Sequence, residues 1–192
     1  MTTDLVQSFR QQFPDASISI SEGLSVPLRE WLIAGRIDLA VLFDPPNSPQ
    51  LTLETLVRED LVLISSQPLP ERIKLADVGQ YDLVLPSGPH ALRQLLEDAV
   101  QPRGVTLRVV AEVDSIQTVL PLVARGVANT VLPVSALKSW PAATPPHVAH
   151  ITSPQIRNRF TLAVPKARPS NQLTRYGLEL LRRLVQQHYG SS

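Results

Sequence analysis

The chain has 192 residues, 43% of them hydrophobic, which is enough to bury a sizeable core in one or two domains. Its 18 basic and 17 acidic residues leave a formal net charge of +1, so overall charge does not favour nucleic acid or an anionic membrane as a partner. The absence of cysteine excludes disulfides, thiol nucleophiles and thiolate metal ligands, and it fits a reducing cytoplasm. The N-terminal segment lacks the basic and apolar regions of a secretory signal, and no apolar run reaches membrane-spanning length. We therefore expect a cytoplasmic protein without a membrane partner.

The first part of the chain predicts a helix, a strand, a second helix and a second strand. Helical spacing of apolar residues ends at Pro14, and residues 16–21 alternate isoleucine with serine as strands do. Ser25 follows a glycine turn and is expected to cap a short helix, which Gly35 ends. The apolar residues 37–43 then predict a strand that is covered on both faces. Two strands joined by one helix predict a parallel β-α-β unit, whose helix starts and loops lie at the sheet edge where small ligands bind.

The middle of the chain predicts two further strands, a proline-rich boundary and a second α/β block. The two strands cover residues 51–56 and 60–65, and the boundary falls at 67–70. In the second block, Ser87 is expected to cap a helix, and the segment 114–117 resembles a capping box at the start of another helix. The other predicted features of this block are strands at 82–85, 105–112 and 130–132, and helix ends at Gly104 and Gly126.

The last part of the chain begins with a second proline-rich linker at residues 140–146. Strands at 147–151 and 160–164 follow, and a final amphipathic helix starts at Ser170. Two successive α/β blocks separated by proline-rich crossings predict the α/β class, with a tail that could return to the first block.

Six short segments occur in an order that carries a resemblance to a known family. In chain order they are FRQQFPDASISISEG (9–23), LxxGRIDLAVL (32–42), EDLVLI (59–64), LPSGPHALR (85–93), EVDSIQTVLPLVARGVANTVLP (112–133) and ITSPQIRNRFTLAVP (151–165). Each is weak alone, but the ordered set covers nearly the whole chain and resembles the effector-binding domain of the LysR-type transcriptional regulators. One departure is Ala128, where the family often has a second glycine.

This resemblance implies an α/β fold of two Rossmann-like lobes joined by two crossovers, like the type 2 periplasmic solute-binding proteins. Lobe I would comprise residues 1–66 and 150–192, and lobe II residues 67–149. The family implies that a small effector binds in the cleft between the lobes and that a homodimer transmits the signal, without catalysis or a cofactor. Promoter DNA is bound in the family by an N-terminal winged helix-turn-helix. We expect that domain to be absent from this chain, together with the first strand of lobe I and the Ser/Thr turn after it.

Effector binding is expected at two helix starts that follow strands. The N–H groups at such starts favour anions and polar groups, so Ser25 and Ser87 would suit an effector that carries a carboxylate, sulfate or phosphate. Plain helix capping explains both serines about equally well. The full set of candidate effector-binding residues is Gly23, Ser25, Phe43, Ser87, Gly88, His90, Asn129 and Thr130.

The resemblance also implies a dimer in which the first helix of one subunit packs antiparallel on a lobe II helix of the other. Leu5 and Phe9 would supply one side of that contact, and Val119 and Val123 the other. The alternative is that these four side chains are buried within their own lobes.

Three features leave other functions open. The sequence GLSVP around Ser25 is close to the nucleophile elbow of serine hydrolases, but its fifth residue is proline where the motif has glycine. His147 and His150 have H-x-x-H spacing but no third ligand, so we expect no metal site. A solute-binding protein of a transporter would share the two lobes but requires export.

Basic residues also concentrate near the C-terminus, where a solvated face explains them better than a DNA-binding patch: Arg157, Arg159, Lys166, Arg168, Arg175, Arg182 and Arg183.

Overall fold

The computed structural model describes residues 1–167 and 171–190 of the chain. The predicted helix start at Ser170 and the predicted basic residue Arg168 lie outside the described residues. The helices are α1 (Thr2–Gln12), α2 (Ser25–Ala34), α3 (Ala91–Val100), α4 (Ile116–Ala124) and α5 (Gln172–Tyr189). The strands are β1 (Ala40–Phe43), β2 (Leu51–Ser65), β3 (Arg72–Lys74), β4 (Asp82–Leu85), β5 (Arg108–Glu112), β6 (Thr130–Pro133), β7 (His147–Thr152) and β8 (Arg157–Pro165). Three short 3₁₀ segments cover Leu75–Gln80, Gln101–Arg103 and Val134–Ser139.

The chain divides into two compact units. Unit 1 comprises Met1–Arg58 and Arg159–Ser192, and unit 2 comprises Glu59–Asn158. The division therefore falls inside β2 and at the second residue of β8. The boundaries that the family resemblance implies, 66/67 and 149/150, differ from these divisions, which fall within regular strands.

Unit 1 is built on the packing of α1 against α5. Phe9 of α1 is buried with Leu180 and Leu184 of α5, and Phe13 meets Tyr176 edge to face with ring centroids 5.3 Å apart. The predicted end of α1 before Pro14 is confirmed. Within the described residues, none of the helices combines the length and hydropathy that a bilayer crossing requires.

The parallel β-α-β unit predicted for the first part of the chain is wrong. Residues 16–21 form no strand, and β1 pairs antiparallel with β8, with Val41 opposite Leu162. Alternating isoleucines and serines satisfy the pattern of a strand, but a strand also needs a neighbouring backbone to bond with, and the described residues supply none here. The helix after this segment is as predicted, because Gly35 ends α2 in the left-handed conformation with φ 74°.

A single strand, β2, replaces the two strands predicted over residues 51–65. Burial alternates without a break through the charged centre of β2, since Val57 and Glu59 are buried while Arg58 is exposed. Charged residues are typical of loops and therefore suggest two separate strands, but here one strand continues through them. The second half of β2 then pairs antiparallel with both β6 and β7.

Unit 2 has its own core, which the predicted alternation of strands and helices positions correctly. β4 pairs parallel with β5, and a parallel bridge joins Leu83 of β4 to Asn129 just before β6. β3 pairs parallel with β7 at the far side of the unit. The helices α3 and α4 bury Leu96 and Leu120 against these strands. The predicted α/β class is therefore confirmed.

Most of the four residues predicted for a dimer contact are buried in the cores of their own units. Val119 and Val123 are buried inside unit 2, and Phe9 is buried inside unit 1 with Leu5 half-buried beside it. Phe9, Val119 and Val123 therefore leave little exposed apolar surface, because an amphipathic helix buries its apolar face in its own core. The large apolar side chains that remain exposed around α4 are Ile116 and Val127.

Candidate functional site

The carboxyl ends of β4 and β5 bring two polar turns together at one edge of unit 2. Because the two strands are parallel, the turn after β4 and the turn after β5 emerge side by side, and the Val113 N–H donates to the Leu85 carbonyl at 2.9 Å. This is the edge of an open α/β sheet at which ligands generally bind. It carries Ser87 on one turn and Asp114 on the other.

Ser87 and Asp114 are joined by two hydrogen bonds. The backbone N–H and the hydroxyl of Ser87 both donate to Oδ1 of Asp114, at 2.9 and 2.7 Å. The hydroxyl hydrogen bond, followed by the N–H bond, lowers the pKa of the Asp114 carboxyl from its ordinary value. The prediction that Ser87 caps a helix is wrong, because α3 starts four residues later and the serine is bonded to the neighbouring turn instead.

His90 is the residue that caps α3. Its Nδ1 accepts from the Leu92 N–H at 3.2 Å, which requires a neutral ring with the proton on Nε2. Burial lowers the pKa of His90 from its ordinary value, against the opposing effect of the Asp114 carboxylate, so the capping form is the stable one at neutral pH. Gly88, in the exposed part of the same turn, has open space where a side chain would project.

Arg93 braces this turn from the side of α3. One guanidinium nitrogen donates to the Pro86 carbonyl and to Glu112 at 3.2 Å each, and Nε pairs with Glu97 at 2.6 Å. The Arg93 side chain is largely buried, so these contacts hold the backbone before Ser87 in a fixed position.

Asn129 and Thr130 do not join this edge. Thr130 is buried and its hydroxyl donates to the Val84 carbonyl at 2.8 Å, while the Asn129 amide donates to the Asp82 carbonyl at 3.0 Å. A parallel bridge places Asn129 beside Leu83, and Thr130 bonds to Val84, so both residues lie along β4 and not in the turn that follows it. The buried hydroxyl of Thr130 is not available to an effector, and the prediction for it is wrong.

In unit 1, Ser25 links the start of α2 to the end of β1. Its Oγ accepts from the Phe43 N–H at 2.9 Å, and it is the first residue of the helix rather than its cap. Asp44, at φ 44°, follows directly and pairs with Arg159 at 2.9 Å. Gly23 is exposed just before the helix, and Phe43 packs edge to face against Phe160 with ring centroids 4.7 Å apart. Ser25 therefore lies at the start of the helix as predicted, but it does not cap the helix.

The arrangement around Ser25 is not that of an activated nucleophile. A catalytic serine donates its proton to a nearby base. Here the recorded contact of Ser25 Oγ is with a backbone donor, and within the described residues no histidine or carboxylate accepts its proton.

The histidine pair and the C-terminal basic residues have ordinary structural roles. His147 and His150 lie in β7, where an odd spacing directs them to opposite faces, and the described residues contain no group of three side chains that could hold a metal ion. Three of the arginines form ion pairs with carboxylates: Arg157 with Asp60, Arg159 with Asp44, and Arg182 with Glu54.

A shallow groove of about 410 Å³ lies along β3 and β7 of unit 2, away from the Ser87 turn. Its lining includes Glu71, Arg72 and His150, which are all exposed to solvent. None of the predicted effector-binding residues lines it, and it offers no buried polar group to orient a ligand.

One acceptor left for a ligand at the Ser87 turn is an oxygen of Asp114. Both Ser87 donors are engaged by Asp114, and within the described residues Oδ2 of Asp114 accepts no protein hydrogen bond. The sequence predicts an open anion-binding site here, but the Asp114 carboxylate already accepts hydrogen bonds from both Ser87 donors. From the sequence alone, Asp114 is only part of a possible capping box. The signal that could have identified it is its position directly after a strand parallel to β4.

Comparisons with known proteins agree on one family. A family model described as the LysR substrate binding domain matches residues 1–186. The nitrogen assimilation regulatory protein nac of Escherichia coli is 31% identical over 166 residues, which is 86% of this chain and 54% of that protein. The transcriptional regulator BbuR of Bordetella bronchiseptica is 32% identical over 136 residues, covering 69% of this chain and 42% of that protein. The chain therefore spans about half the length of the curated relatives it matches.

Solved structures show the same fold. The regulatory domain of CcmR from Synechocystis, in complex with 2-PG, has a TM-score of 0.83 at 19% identity, and the match covers 95% of this chain and 90% of that one. The effector binding domain of QuiR, in complex with shikimate, has a TM-score of 0.79 at 21% identity, covering 98% and 92%. The chain has the two-lobe fold, like that of periplasmic binding proteins, that these domains share.

Proposed function

Because the chain belongs to the LysR substrate-binding domain family, we propose that it binds a small polar effector and is the sensing part of a transcriptional regulator. The observation that carries this proposal is the family match over residues 1–186. The Ser87–Asp114 edge of unit 2 adds a ligand surface of the kind that open α/β sheets use.

The effector we propose presents a hydrogen-bond donor, an amine or a hydroxyl, to Asp114. Oδ1 of this residue is held by Ser87, which fixes the direction of the carboxylate, and Oδ2 is left to accept from a ligand. Considered by itself, unit 1 offers the hydroxyl of Ser25, whose oxygen accepts from the Phe43 N–H and whose hydrogen can donate to a polar ligand group. Binding is noncovalent, and we propose no enzymatic step.

The regulatory role rests on parts of a protein longer than this chain. We propose that promoter DNA is bound by a region outside these residues, that the regulator acts in the cytoplasm as a homodimer or higher oligomer, and that effector binding shifts its conformational equilibrium. Such a shift requires different affinities for the two states, because equal affinity signals nothing.

A ligand screen followed by calorimetry tests the proposal. We expect at least one small metabolite bearing an amine or a hydroxyl to raise the melting temperature, because a ligand that binds only the folded state stabilises it. Asp114→Asn should then weaken binding of that metabolite by about 10-fold to 100-fold, the value of one hydrogen bond to a charged group.

The matched control is Asp98→Asn, which makes the same change at an exposed position of α3. It should leave the affinity unchanged. Equal affinities of the wild type and Asp114→Asn would remove Asp114 from the site, and failure of every metabolite in a broad screen to bind would contradict the proposed function itself.

A further inference from the structure

Two buried polar side chains with incomplete hydrogen bonding lie at the limits of unit 2. Glu59 is its first residue and is 0% exposed; Asn158 is its last and is 2% exposed. Oε1 of Glu59 and Oδ1 of Asn158 are both buried without a hydrogen-bond partner among the described residues. A buried unsatisfied oxygen is costly, and native structures contain few of them.

Nearby contacts between β2 and β8 indicate that these two residues lie opposite each other. β8 is the neighbour of β2 in the sheet, the Leu61 N–H donates to the Ile156 carbonyl at 2.9 Å, and Asp60 pairs with Arg157 at 2.9 Å. Counting back along β2 and forward along β8 brings Glu59 opposite Asn158. Side chains that are directly opposite on antiparallel strands project from the same face, with Cβ atoms about 4.5–5.5 Å apart.

The other carboxylate oxygen of Glu59 is satisfied. The Ser135 hydroxyl donates to Oε2 at 2.9 Å. Lys138, from the same 3₁₀ segment, is the cation whose field acts on the carboxyl and lowers its pKa. Along β2, Arg58 and Asp60 project from the opposite face. Glu59 therefore faces Ser135 and Lys138 on one side and Asn158 on the other.

An ionised Glu59 does not fit these surroundings. It would set a buried negative oxygen against the amide oxygen of Asn158, with no hydrogen between two acceptors. A proton on Oε1 would give both unsatisfied oxygens a hydrogen bond, because a carboxylic acid donates one hydrogen bond and still accepts others. Burial acts in the same direction and raises the pKa of Glu59 above its ordinary value, against the opposing effects of Ser135 and Lys138.

We propose that Glu59 is a neutral carboxylic acid whose Oε1–H donates to Oδ1 of Asn158, forming a proton-dependent bond between the two strands at the points where the chain enters and leaves unit 2. Below the ordinary pKa of a glutamate, both the folded and the unfolded chain hold this proton, and the contribution to stability is complete. As pH rises, the unfolded chain loses the proton first, so the free energy of unfolding falls until the pH passes the raised pKa of Glu59. Above that pH the bond is lost and a buried charge remains.

Carbon-detected NMR of the glutamate side-chain carboxyls tests this in the wild-type chain. The Glu59 carboxyl should titrate with a midpoint above the ordinary pKa of a glutamate. A midpoint at or below that value would overturn the proposal. It would mean that Glu59 is ionised, either with the Asn158 amide turned to donate or with a metal cation between the two oxygens.

Glu59→Gln provides the second test, since its amide copies the donor and acceptor of the neutral acid. The variant should melt about 2–4 °C higher than the wild type at pH 8, and the difference should shrink as pH falls. The matched control, Glu71→Gln, alters an exposed glutamate of the same unit and should change the melting temperature equally at all pH values. A Glu59→Gln variant that melts lower than the wild type at pH 8, or a wild type whose stability at that pH rises with sodium or potassium concentration, would contradict the proposal.

Discussion

Leu120→Ala should lower the free energy of unfolding of unit 2 by about 2–5 kcal/mol, the largest effect that we expect from a single core substitution here. Leu120 lies on α4 and is 0% exposed, in the cluster that also holds Val119 and Val123. Removing its isopropyl end leaves a cavity that the strands beneath cannot close. Denaturant unfolding followed by a probe within unit 2 measures the change.

Leu173→Ala is the matched control, because it deletes the same atoms at a position of α5 that is 37% exposed. It should change stability by no more than about 0.5 kcal/mol. If Leu120→Ala were equally mild and instead dissociated an oligomer, α4 would present its apolar face to a partner, and the assignment of this face to the core of unit 2 would be incorrect.

Gly79→Ala should destabilise unit 2 by about 1–3 kcal/mol through overpacking. A Cβ at this position would lie 2.5 Å from the Thr106 carbonyl oxygen and 3.2 Å from Val105 Cγ1. The first neighbour is backbone, so either the 3₁₀ segment Leu75–Gln80 or the chain before β5 must move. Thermal unfolding without ligand measures the effect.

Gly88→Ala is the control for this substitution, since nothing lies within 4 Å of the added carbon and its backbone is not left-handed. Its stability should stay within about 1 kcal/mol of the wild type. Equal stabilities of the Gly79 and Gly88 variants would show that the contact with Thr106 is not close.

The helices were largely predictable because their signals are local. Gly35 ends α2 and Gly104 ends the helical segment after α3, both at positive φ, as their sequence positions indicated. Apolar spacing in α4 and α5 likewise predicted the buried faces of these helices. Such features depend on residues a few positions apart, which a single sequence displays directly.

The strands were less predictable because pairing depends on distant residues. The alternation at 16–21 was that of a strand, yet no strand formed there, and the charged centre of β2 hid one continuous strand. Whether a segment joins a sheet is decided by the backbone that lies beside it, which sequence periodicity does not contain.

The candidate site shows the same limit. The sequence identified Ser87 and the turn around it, but its partner Asp114 is 27 residues away and reaches it only because β4 and β5 are parallel. The burial of Glu59 was equally unpredictable, since nothing local distinguishes it from the exposed Arg58 and the half-buried Asp60 that flank it.

Amide chemical-shift mapping with an effector from the screen tests the central claim most directly, namely that the edge formed by Ser87 and Asp114 contacts the ligand. Titration of the isotope-labelled chain should produce saturable shifts at Ser87, Gly88, His90 and Asp114 that exceed those of the groove along β3 and β7. Saturable binding that leaves these four amides unshifted would contradict the account.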